Sequence, residues 1–230
     1  MSVPPLQPHT PTPDQEVSLR IGVLLFPGFQ VLDVFGPLDC LNVLSRTHPL
    51  TLSLLSHTLD PVTSKVHSYP ASIAQSILPT HTFSNPPPLD VLLVPGGLGT
   101  RLLDSDPITS SIAFIRSVYP SLRYLITVCT GSGLAARAGI LDGRRATTNK
   151  RAFREISVWR SEVEWVAKAR WVVDGNLWTS SGVSSGIDVI LAWIGNVFGE
   201  AVARGVADGM EYRMVSDEGD DPFATLYGLE

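Results

Sequence analysis

Histidine is scarce in this sequence and absent from its second half. All five, His9, His48, His57, His67 and His81, lie before the single cysteine that follows them, Cys129. A papain-like or glutaminase arrangement takes its histidine from well after the nucleophile, so a Cys–His–acid triad is not expected. Amide hydrolysis loses support with it, because a departing amine needs a good proton donor. Cysteine is scarcer still, with only Cys40 and Cys129. One falls in an apparent helix and the other at a strand end, which argues against a disulfide and for a reducing, cytoplasmic setting. Basic clusters are missing: 17 Lys and Arg stand against 22 Asp and Glu, for a net charge of −5. Without a concentrated basic face, nucleic acid is excluded as a partner. No apolar run approaches the length of a membrane span, so a soluble protein with no membrane partner is expected. No spacing of ligating side chains suits a metal, and no cofactor is expected. Residues 1–17 carry five prolines and no hydrophobic run of signal-peptide length, and read as a flexible tail.

What is present is a chain of 230 residues, 44% hydrophobic with 19 glycines, enough for one large α/β domain with many tight turns. The domain is expected over 18–214, followed by an acidic tail over 215–230. Apolar runs at 18–26, 51–56, 89–94 and 124–128 read as buried parallel strands. Helices are expected over 31–45, bent or restarted at Gly36-Pro37, then over 107–118, 134–141, 151–156, 182–198 and 200–214. Gly175-Asn176 marks a hairpin between 171–174 and 177–181. The fold class is a doubly wound, mostly parallel sheet sandwiched by helices.

Three loops at the carboxyl edge of such a sheet carry chemistry. The run from Tyr124 to Val128 stops at Cys129, small residues follow, and a helix begins. A cysteine on a strand-to-helix turn faces unpaired N–H groups and the positive end of the helix, which favour a thiolate and can receive charge from an adduct. This resembles a nucleophile elbow with Gly131 after the nucleophile but Thr127 before it. A small buried hydrophobe would fit the same local pattern. Asp33 falls in the first turn of the helix after strand one, where a plain helix-terminal charge is the alternative role. Pro95-Gly96-Gly97-Leu98-Gly99 follows the third strand and frees amides to point at a ligand. It lacks the Lys-Ser/Thr and the spacing of a nucleotide loop, so nucleotide binding is not expected.

The segments FPGFQVLDVFGPLD (26–39), LLVPGGLGTR (92–101), ITVCTGSGLAARAGILDGRRATTN (126–149) and VVDGNLWTSSGVSSGIDVILAWI (172–194) resemble, in order and spacing, the ThiJ/PfpI superfamily. Within it they look most like the isonitrile hydratases and the related sensor domains of AraC-type regulators. The resemblance implies a flavodoxin-like single domain, a homodimer, and a lyase needing no cofactor, with a small-molecule substrate. It implies Cys129 as nucleophile, Asp33 as its acidic partner, Thr130 turning its N–H and hydroxyl to the reacting carbon, and Gly96, Gly97 and Gly131 around the substrate or oxyanion. Asp and Thr at these places follow the hydratases and not the protease-like or glyoxalase-like branches. The chain departs from the family after ATT: Asn149-Lys150 stand where His-Trp is frequent, so a part for that histidine in substrate fit is missing. Hydration of an isonitrile to a formamide through a cysteine thioimidate is the leading expectation. A glyoxalase- or deglycase-like enzyme, or a non-catalytic oxidation sensor or ligand-binding module, are the alternatives.

Overall fold

The computed structural model describes residues 18–66 and 68–229; the proline-rich stretch 1–17 and His67 lie outside the described residues. Among these residues the apolar, β-branched runs pair as seven strands of one sheet. In chain order they are β1 (Leu19–Leu24), β2 (Leu50–Ser56), β3 (His81–Thr82), β4 (Val91–Val94), β5 (Tyr124–Thr127), β6 (Trp171–Asp174) and β7 (Leu177–Ser180). Their order across the sheet is β6-β7-β5-β4-β1-β2-β3. Every pairing is parallel except the β6–β7 hairpin, which turns at Gly175-Asn176.

Helices α1 (Val31–Leu44), α5 (Ser185–Phe198) and α6 (Glu200–Gly209) pack on one another, α2 (Asp106–Val118) packs on α3 (Gly131–Arg137), and a short α4 (Phe153–Ser157) precedes β6. The two groups flank the sheet, as a doubly wound α/β fold requires. The central strands are buried on both faces, which explains their continuous apolar sequence. The chain steps outward from β1 to β2 and β3, then returns to the other side of β1 as β4. The loops after β1 and β4 therefore diverge at the carboxyl ends of the strands, the switch point where doubly wound folds commonly take a ligand.

Four elements differ from expectation, the first being α6, which ends at Gly209 and not at 214. Helix α1 runs through Gly36-Pro37 without a restart. A proline there removes the one backbone bond to the carbonyl four residues earlier, that of Asp33. Helix α3 begins and ends earlier than the sequence suggested. Gly139, at φ 75°, stops it: Gly139 N–H bonds the Ala136 carbonyl and Ile140 N–H the Ala135 carbonyl, a Schellman ending one turn before Asp142-Gly143. Finally, the stretch expected as an acidic tail carries a short helix, α7 (Pro222–Leu226), capped by Asp221, whose carboxylate accepts from Phe223 N–H at 3.0 Å. Asp221 itself is buried.

Candidate active site

Cys129 leaves β5 with φ at 57°, a left-handed conformation that costs a non-glycine residue on the order of 1–3 kcal/mol. The surroundings hold it there. Its N–H bonds the Ser181 carbonyl at 2.9 Å. Its carbonyl accepts from the hydroxyls of Thr148, at 3.0 Å, and Ser132, at 3.1 Å. Gly131 follows because nothing larger fits: a Cβ there would stand 2.3 Å from the Val94 carbonyl oxygen. The strand-to-helix elbow is thus a product of small residues next to β4, and the cysteine it carries is buried.

Asp33 is fully buried in the first turn of α1 and reaches the same place. One carboxyl oxygen, Oδ2, accepts from Gly96 N–H at 2.9 Å, while Oδ1 has no hydrogen-bond partner. Burial pushes its pKa up to about 7, opposed by the Gly96 amide and by Cys129. Burial and the neighbouring Asp33 push the Cys129 thiol up to about 12, opposed by the N–H groups of Val183 and Thr130 and by Asn149. Two buried neighbouring acids resist being ionised together. Between those two values the pair keeps a single proton. The elbow does not by itself yield the free low-pKa thiolate that the helix terminus suggested. Desolvation and a like charge outweigh the dipole here.

The expected substrate amides turn out to be occupied within the protein. Gly96 N–H holds Asp33, Gly97 N–H donates to Thr130 Oγ1 at 3.0 Å, and Gly131 N–H bonds the Val128 carbonyl at 2.9 Å. The Thr130 hydroxyl does not face the sulfur either; it lies in a buried knot with Gly97 and the Thr100 hydroxyl, 3.2 Å away. Only its backbone N–H turns to Cys129. These glycines and Thr130 therefore act as a frame. Gly97, at φ 140°, has the backbone that lets the turn approach the loop after β1, where a Cβ would lie 2.4 Å from the Gly28 carbonyl oxygen.

One contact was missed in the sequence. Asn149 Nδ2 donates to Cys129 Sγ at 3.2 Å, and its Oδ1 accepts from Ala152 N–H at 3.0 Å. The second bond fixes which end of the amide meets the sulfur, so Asn149 is a donor there and not a base. Its position directly after Ala146-Thr147-Thr148, where the family's histidine is frequent, was the available signal. Among the described residues no group of three metal-ligating side chains converges, and no helix is long and apolar enough to cross a membrane.

The chain has relatives of known sequence and known structure. A sequence profile of the DJ-1/PfpI family matches residues 19–195. An isonitrile hydratase from Pseudomonas putida is 39% identical over 196 residues, which span 85% of this chain and 79% of that protein. The transcriptional regulator GbdR of Pseudomonas aeruginosa is 26% identical over 87% of this chain, which spans 52% of the regulator. A ThiJ/PfpI family protein of known structure from Pseudomonas syringae superposes with a TM-score of 0.74 at 26% identity, covering 97% of this chain and 92% of the other. With the match running from the first strand into α5 and the fold shared over nearly its whole length, the chain belongs to the DJ-1/PfpI family.

Proposed function

We propose that this protein is an isonitrile hydratase, a cofactor-independent lyase that converts R–NC to the N-substituted formamide. The observation that carries the reading is the fully buried Asp33 carboxyl beside Cys129, with one oxygen on the Gly96 amide and the other unpartnered. The terminal carbon of an isonitrile accepts a nucleophile and a proton at the same atom. Asp33 carboxylate takes the thiol proton as the sulfur lone pair forms the C–S bond, and the resulting carboxyl group returns that proton to the carbon. The product is a thioimidate, R–N=CH–S–Cys129. Water then adds to the carbon while Asp33 passes one of its protons to nitrogen. Loss of the remaining hydroxyl proton forms the carbonyl, the C–S bond breaks, and formamide leaves with the thiol and carboxylate restored. No basic amine is expelled, so no histidine is called for. The likeness to the Pseudomonas putida hydratase supports the same substrate class.

Incubation with a small aromatic isonitrile tests the reading: formamide forms with the native chain and does not with Cys129→Ala. Turnover of methylglyoxal and none of the isonitrile would move the assignment to a deglycase-like enzyme. A non-catalytic ligand-binding role is the second reading, favoured by the likeness to GbdR, and inertness toward both substrates would support it. We also read the chain as a homodimer acting on a small molecule in the cytoplasm, as the family resemblance implies. Sedimentation equilibrium giving the monomer mass would end the dimer assignment.

A further inference from the structure

The segment after α6 returns to the body of the protein instead of leaving it. The Tyr212 hydroxyl donates to Asp188 Oδ1 at 2.8 Å, and the Glu218 carbonyl accepts from Arg170 N–H at 2.6 Å. Asp221 approaches Lys150 Nζ at 3.7 Å, with both side chains essentially without solvent exposure. Beyond α7, the Gly228 carbonyl accepts from Arg154 at 2.6 Å.

Lys150 and Arg170 lie beside groups that meet the sulfur. Lys150 adjoins Asn149, and its Nζ donates to Thr147 Oγ1 and, at 3.4 Å, to the Thr148 carbonyl. Thr148 in turn donates its hydroxyl to the Cys129 carbonyl. Arg170 pairs with Asp188 at 2.7 Å and donates to Ser184 Oγ at 3.1 Å, next to Val183, whose N–H faces Sγ. A fully buried ion pair adds little net stability over an apolar pair of like volume, because desolvation offsets the attraction. What it does enforce is geometry, since neither charge can leave its partner.

We infer that the C-terminal segment from Tyr212 to Gly228 is a positioning strap for the site: through Lys150–Asp221 it fixes the 147–150 loop, so that the Asn149 amide stays on Cys129 Sγ. Lys150 and Asp221 are positioning residues and touch no reacting atom. The inference deepens the proposed function and rests on Cys129 being the reacting group. The profile match ends at residue 195, so the strap lies outside the part of the chain that the family profile describes.

The test is the rate of iodoacetamide alkylation of Cys129 in the full-length chain at about pH 7, below the value of about 8 to which burial lowers Lys150, with circular dichroism to confirm folding. Asn149→Ala removes one hydrogen bond to a sulfur anion and slows alkylation about tenfold. Asp221→Asn is expected to slow it by a similar factor, and the double variant no further than either alone. A purely structural segment would behave oppositely, because loosening it exposes a buried thiol and speeds alkylation. An unchanged or faster rate in Asp221→Asn, or multiplicative slowing in the double variant, would overturn the inference. Should Asp221→Asn leave an unpaired buried lysine and fail to fold, Lys150→Met with Asp221→Asn removes both charges, keeps an acceptor at the α7 cap and is read by the same outcomes. Failure of both to fold would assign the segment to stability alone and also overturn it. No isonitrile enters this assay, so a native chain inert to isonitriles would end the hydratase reading without deciding this one.

Discussion

At the scale of single residues, the site depends on a carboxyl group placed where ionisation is unfavourable. Burial raises Asp33 from 3.8 to about 7, so its charged form works against the fold. The sign follows: Asp33 makes its full contribution to stability below the ordinary carboxylate range, and that contribution is lost as pH rises through about 7. Asp33→Asn keeps an acceptor for Gly96 N–H and removes the charge. Its thermal midpoint at neutral pH should exceed that of the native chain, by an amount reflecting on the order of a few kcal/mol at most. The same variant should lose hydratase activity by at least about a hundredfold, the usual contribution of a positioned acid–base group. Calorimetry and formamide release, measured on one preparation, check both halves. An Asn variant that is less stable yet fully active would refute the assigned role. Asp33 and Cys129 were legible because each follows a strand at the carboxyl edge. Asn149 was less so, being twenty residues beyond the cysteine it meets, on a loop whose path only the fold determines.

At the scale of elements, the elbow between β5 and α3 is set by what fits beneath it. Gly131→Ala would press a Cβ onto the Val94 carbonyl oxygen, so the turn must open or the chain must shift. The expected result is loss of activity together with a fall in thermal stability of more than about 2 kcal/mol, larger than an ordinary glycine substitution in a helix. Gly139→Ala is the control. It forces a Cβ into the left-handed helix ending but meets only Asp142 at 3.8 Å, so a cost of about 1 kcal/mol with activity retained is expected. Chemical denaturation beside an activity assay separates the two. The strand and helix at this elbow were readable from apolar periodicity and small residues. The end of α3 was misplaced because Gly139 and Gly143 both offer a left-handed stop. The Schellman bonds of Gly139 and Ile140 decide between them.

At the scale of the whole molecule, sheet order brings distant sequence together. The reversal between β1 and β4 sets Asp33 beside Gly96, and the neighbouring β5 adds Cys129, so three loops far apart in the chain meet at one place. That much follows from an α/β pattern with strands in a doubly wound order. What a strand pattern does not carry is the return of residues 212–228, because its cues are isolated charges and one proline, not a periodic apolar face. Asp221 looked like part of an acidic surface run, and only its burial against Lys150 distinguishes it from Asp217 and Asp220.

The central claim is that Asp33 and Cys129 share one proton through the working pH range. It is tested most directly by the pH dependence of formamide formation. The account predicts a rate that climbs tenfold per pH unit, levels near the pair's first ionisation at about 7, and stays flat well into the alkaline range. A rate already at its plateau well below that point, or an acid limb that survives unchanged in Asp33→Asn, would contradict it.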